Sequence, residues 1–147
     1  MSALAAGSTS GDVAAERRQE QLRQRVQAAL RSAVQPMGGN DVVRVEIVAA
    51  DLRVRALPAS GDVASQLGLE PTRELWSRLA ADLVIVDPSG LELARAGGEV
   101  SRTSPILAGT TAPAEQDQAN QLFEETIRLL IVTLRESARE RLYSWLA

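Results

Sequence analysis

The chain has 147 residues, a formal net charge of −3, 45% apolar residues and only 3% aromatics, a length that suits one domain with a core of Leu, Val, Ile and Ala. It contains no His, no Cys and no Lys, so Arg supplies all 16 basic side chains. Those absences exclude ordinary zinc, copper and haem sites, Schiff-base and P-loop lysine chemistry and a Ser-His-Asp triad, and an acidic balance with no basic block argues against nucleic-acid binding.

Residues 1–11 are rich in Ala, Gly and Ser and read as a flexible leader, with residues 12–147 as a single domain. Asp12 is a candidate cap for a helix running to about residue 35. Its apolar face is Ala15, Leu22, Val26, Ala29, Leu30, Ala33 and Val34, narrow enough for a helix lying on a surface. Pro36-Met37-Gly38-Gly39-Asn40 ends it.

Residues 42–57 alternate as a strand should, with Val43, Val45, Ile47 and Ala49 on one side and Arg44 and Glu46 on the other. After Ala49-Ala50-Asp51 the phase shifts, and Leu52, Val54 and Ala56 alternate with Arg53 and Arg55. A one-residue shift inside a good strand predicts a β-bulge. Residues 58–71 read as a loop with a short helical turn near 63–67, long enough to suggest function or mobility.

Residues 72–86 fit a strand, with a helix over 72–80 as the alternative, because Leu75, Leu79 and Leu83 match either period. Asp87-Pro88-Ser89-Gly90 predicts a type I turn. Residues 91–102 return as a second strand, weakened by Gly97-Gly98, to make a β-hairpin. Residues 103–112 lead into a long helix over 113–146. Its apolar positions are Ala119, Leu122, Phe123, Ile127, Leu130, Ile131, Leu134, Ala138, Leu142 and Trp145. Acids at its start and Arg135, Arg139 and Arg141 at its end suit the helix dipole. Leu129 and Val132 fall off the main apolar face, and either the first helix or another copy of the chain would cover them.

The expected fold is α+β: an antiparallel sheet of about three strands with an N-terminal helix and a long C-terminal helix on one face. No catalytic, metal-binding or cofactor-binding residues emerge. Asp117, Glu124 and Glu125 could in principle form a carboxylate pair for glycoside hydrolysis, but they read as a solvated helix face. Two stretches are candidate partner surfaces. Arg44, Arg53 and Arg55 form a basic row on the outer sheet face, able to meet an acidic partner or lipid phosphate, or simply to solvate the strand. Tyr143, Trp145 and Leu146 lie at the chain end, where Trp145 either packs in the core or anchors an interface.

The order of elements resembles small periplasmic and outer-membrane lipoproteins of Gram-negative bacteria. The resemblance rests on Leu22-Arg23 to Ala29-Leu30, then Val43-Arg44-Val45-Glu46-Ile47. A hairpin of Leu83 to Asp87, Gly90 and Leu93-Ala94-Arg95 follows, and a closing helix, together covering about residues 16–142. It implies a non-catalytic accessory of the envelope, for example in lipid or lipopolysaccharide transport or in an envelope assembly, that binds a protein partner or lipid. A lipidated Cys followed by a small polar tether is how such proteins begin. A soluble form with Met in place of that Cys would start much as Met1-Ser2-Ala3-Leu4-Ala5-Ala6-Gly7-Ser8 does, and so would an ordinary disordered N-terminus. The alternative is a cytoplasmic structural or adaptor domain forming a homodimer through its C-terminal helix.

Overall fold

A computed structural model describes residues 2–57 and 72–147, with side chains from residue 13 onward. The elements follow in the order α1 (Ser2–Leu30), β1 (Val42–Ala56), β2 (Arg73–Val86), β3 (Glu92–Ile106) and α2 (Ala112–Arg141). A single 3-10 turn, Tyr143–Trp145, closes the chain. The loop and helical turn expected within 58–71 lie outside the described residues.

The three strands form one antiparallel sheet in the order β1-β2-β3. Both helices pack on one face of it. Leu22, Val26 and Leu30 of α1 join Leu79, Leu83 and Ile85 of β2 and Ile127, Leu130 and Leu134 of α2 in one buried cluster. A smaller cluster of Leu75, Ile106, Ala119 and Leu122 fills the other end. The Ser77 side chain is fully buried, and its hydroxyl finds no partner among the described residues. Thr126, also fully buried, donates back to the Leu122 carbonyl at 2.6 Å.

Several boundaries differ from expectation. α1 begins at Ser2, ahead of the Asp12 cap, and stops at Leu30 instead of near 35; a turn in which the Val34 amide donates to the Leu30 carbonyl brings Val34 into the core. The bulge falls at Val48, where the β1–β2 register jumps from Ile47 to Ala49, one to three residues before the expected place. Ala50, Leu52 and Val54 therefore share the inner face, and Ala49 turns outward. Residues 73–80, by contrast, are strand as expected, and the alternative helix over 72–80 does not form. β2 is the central strand, covered on its inner face by helices, and its outer Val84 lies fully buried between Arg44 and Arg95, whose aliphatic stems can cover it.

β3 runs past Arg102 to Ile106 and includes Pro105, which an edge strand tolerates because one side of its backbone has no partner. The 87–90 turn forms as expected. The Gly90 amide donates to the Asp87 carbonyl at 2.9 Å, and Gly90 sits at φ +90°, where a side chain would strain the backbone. The Asp87 carboxylate accepts from the amides of Ser89 and Leu91 and from the Ser89 hydroxyl. α2 is capped by Thr111, whose hydroxyl accepts from the Ala114 amide, with Pro113 in the first turn. It ends at Arg141 and not at 146. Gln118 and Ser137, near its two ends, donate to the carbonyls of Pro105 and Gly97 on β3 at 2.7 and 2.9 Å.

Candidate functional site

The sheet face opposite the helices carries a lattice of charge. Alternation places Arg44, Glu46, Asp51, Arg53 and Arg55 of β1 on it, beside Glu74, Trp76, Arg78 and Asp82 of β2 and Glu92, Arg95 and Glu99 of β3. Arg95 reaches Asp82 and Glu92 at 2.6 Å and Glu46 at 3.0 Å, and Glu46 also takes Arg44 at 2.9 Å. These contacts, Glu92 foremost, hold the Arg95 guanidinium more firmly protonated than usual. Arg95 and then Arg44 hold the Glu46 carboxyl below its ordinary range. Further along, Arg78 meets Glu99 at 2.6 Å and Arg53 lies 3.6 Å from Asp51. Arg55 pairs with Glu74 at 2.5 Å. Arg53 and Arg55 also lie 5.7 and 5.1 Å from the centre of the Trp76 ring, within reach of cation–π attraction.

Each of the five arginines on this face (44, 53, 55, 78 and 95) thus has a carboxylate partner on the face itself. The expected basic row is present as a row, but its charge is matched in place. Arg44 stands at one end of β1, and Arg53 and Arg55 at the other.

Tyr143, Trp145 and Leu146 lie elsewhere, at the C-terminal end of α2. Leu142 is fully buried there, while Tyr143 is 78% exposed and Trp145 39% exposed, so Trp145 is not a core residue. Backbone contacts fix this segment. The Met37 amide donates to the Trp145 carbonyl and the Ala147 amide to the Gln35 carbonyl, both at 2.8 Å, and Pro36 pairs with Leu146 as an isolated bridge. The six candidate interface residues therefore fall in three places, not one.

Beside the pinned segment a cleft of about 540 Å³ opens between the end of α2 and the turn after α1, lined by Ala33, Met37, Arg135, Ala138, Arg139 and Tyr143 among others. Arg135 and Arg139 are one helical turn apart, and neither has an ion-pair partner among the described residues. Like charges at this spacing cost about 0.2–0.5 kcal/mol, partly offset by the negative end of the helix dipole. The sequence displays both arginines, but only as dipole partners; Ala33 and Met37, about a hundred positions away, complete the cleft through the tie between the two backbones. A smaller apolar cleft of about 190 Å³ lies between the end of α1 and β1, against Leu30, Val34, Val43 and Leu83.

The helix carboxylates are engaged in holding elements together. Glu124 accepts from Arg25 at 2.7 Å, which holds its carboxyl below the ordinary range and ionised, and Glu125 lies 3.6 Å from Arg102. Among the described residues no group of three or more Asp, Glu, His or Cys side chains could hold a metal ion. Among them too, no helix is long and apolar enough to cross a membrane. Leu129 and Val132 remain 40% and 49% exposed on α2, so α1 does not cover them.

No protein-family model matches the chain, and no curated protein matches it in sequence. Solved structures do resemble it. The crystal structure of a minor lipoprotein from Acinetobacter baumannii aligns with a TM-score of 0.51 at 19% identity, over 83% of this chain and 87% of that one. A protein of Caulobacter crescentus described as a candidate lipoprotein aligns with a TM-score of 0.38 at 18% identity, over 82% of each chain. The chain shares the fold of the Acinetobacter lipoprotein over 83% of its length.

Proposed function

We propose that this chain is a non-catalytic accessory domain of the bacterial cell envelope that docks a protein partner or lipid in an envelope assembly or transport system. In this reading the first turns of α1, up to residue 11, lead from a lipidated N-terminus into one periplasmic domain formed by residues 12–147. The observation that carries it is the fold shared with a bacterial lipoprotein over 83% of the chain. The surface supports it too: its charged sheet face is matched internally, and its exposed aromatics gather at one end, a distribution suited to docking. The coding sequence upstream of Ser2 tests the reading. A basic and apolar signal ending in Cys at the first position is expected; a genuine start at Met1 contradicts it.

One observation favours a second reading. Leu129 and Val132 leave an uncovered apolar strip on α2, as expected of a cytoplasmic adaptor domain that dimerises through this helix. A monomeric mass by light scattering at high concentration would end that reading.

A further inference from the structure

Two groups among the arginines contrast, although Arg17, Arg18 and Arg128 on the helices also make no ion pair among the described residues. Those on the sheet are neutralised by neighbouring carboxylates. At the end formed by the last turns of both helices, Arg31, Arg135, Arg139 and Arg141 make no ion pair among the described residues. Glu136 and Glu140 lie on the same turns of α2, but neither lines the cleft that Arg135 and Arg139 share. Two guanidiniums one turn apart can hold one carboxylate between them through charge-assisted hydrogen bonds. Around them are Ala33, Ala138, the 63% exposed Met37 and the 78% exposed Tyr143. Arg, Tyr, Trp and Met are the side chains that enrich interface centres. The floor is already ordered, because the 143–147 segment is tied by backbone hydrogen bonds to Gln35 and Met37, so binding would not have to order it.

We propose that this cleft docks an acidic peptide segment of a protein partner. A Glu or Asp carboxylate sits between Arg135 and Arg139, and an adjacent apolar side chain packs against Tyr143, Met37 and Ala138. Charge complementarity selects the acid, and the concave apolar floor selects a side chain over a flat surface. A bilayer is disfavoured by position, which rests on the envelope reading above. The 29 residues of α1, at 1.5 Å each, set its N-terminus and any lipid there about 43 Å from this end.

The test is fluorescence anisotropy on the 147-residue chain with a labelled Asp-Leu-Glu-Phe-Glu peptide, its Lys-for-acid counterpart, and vesicles of phosphatidylcholine with phosphatidylglycerol. The acidic peptide is expected to bind. Its affinity should fall at least about tenfold in R135Q/R139Q and on raising salt from about 50 to 500 mM, and fall also in Tyr143→Ser. Arg128→Gln, away from the cleft, should leave it unchanged, with circular dichroism confirming that each variant is folded. Equal binding of the Lys peptide, no binding of the acidic peptide at about 1 mM, full affinity in R135Q/R139Q, or binding of vesicles in place of peptide would each overturn the proposal. The experiment takes place in solution, so its failure is separate from a failure of the anchoring reading.

Discussion

Arg25 of α1 and Glu124 of α2 meet at 2.7 Å across 99 positions of sequence, an ion pair joining the two helices above the sheet. Both side chains are more than a third exposed, so water screens the pair, and it contributes at most about 0.5–1 kcal/mol. Glu124→Gln should lower the melting temperature by roughly 1–3 °C. Arg25→Gln should do the same, and the double variant should cost little more than either single change. A calorimetric double-mutant cycle measures this; fully additive losses would mean that the pair does not couple the helices.

The dependence of stability on pH follows from the lattice. Arginine contacts hold the carboxyls of Glu20, Glu46, Glu92, Glu99 and Glu124 below their ordinary range, and the turn hydroxyl and amides do the same for Asp87. A depressed folded pKa contributes stability that is present above the unfolded value, about 4 for these groups, and is lost as pH falls through the folded value. With no His or Cys in the chain, no side chain has an ordinary pKa between about 5 and 8. Denaturation midpoints should therefore be flat over that window and decline below about pH 4. A transition near pH 6.5 would contradict the assignment.

The glycine pair on β3 separates two kinds of tolerance. A Cβ on Gly98 would meet the Thr133 and Leu134 side chains at 3.1 and 3.3 Å, under α2, whereas one on Gly97 would meet the Asp82 carboxylate on the open face. Gly98→Val should cost about 1–3 kcal/mol by overpacking the sheet against the helix. Gly97→Ala should be milder, because Asp82 can swing aside at the expense of its contact with Arg95. Urea midpoints of the two variants give the order, and a larger loss at Gly97 would refute it.

Ser77 offers a stabilising change. Its buried hydroxyl lacks a partner among the described residues, and burying such a group costs about 1–3 kcal/mol. Ser77→Ala should therefore be neutral or stabilising by up to about 1 kcal/mol in urea denaturation. Leu134→Ala, in the fully buried centre, should lose about 2–5 kcal/mol. A loss above about 1 kcal/mol at Ser77 would point to a hidden hydrogen bond.

The alternation around Val43–Ile47 and the turn residues Asp87 and Gly90 made β1 and the hairpin legible, because period and turn chemistry are local. The bulge was harder to place, since Ala49 and Ala50 are both small and apolar and either can face inward. β2 was ambiguous because Leu75, Leu79 and Leu83 are four apart, which suits a helix as well as a strand, while the inward Ser77 and the outward Trp76 blur the alternation between them. The start of α1 at Ser2 carries no apolar periodicity that a sequence reading could use. On the surface, Arg44, Arg53 and Arg55 were visible, and so were Glu46 and Asp51 beside the first two on β1, whereas Glu74, the partner of Arg55, comes from the neighbouring strand. The Arg135–Arg139 cleft exists only because the chain end folds back onto Gln35 and Met37, a tertiary contact with no local signature.

The most direct test of the envelope reading is labelling of the native protein with radioactive palmitate in its own host, followed by fractionation of cytosol, periplasm and membranes. A labelled band is expected in the membrane fraction, released as a soluble, unlabelled domain by a protease cut near residue 12. An unlabelled protein confined to the cytosol would contradict it.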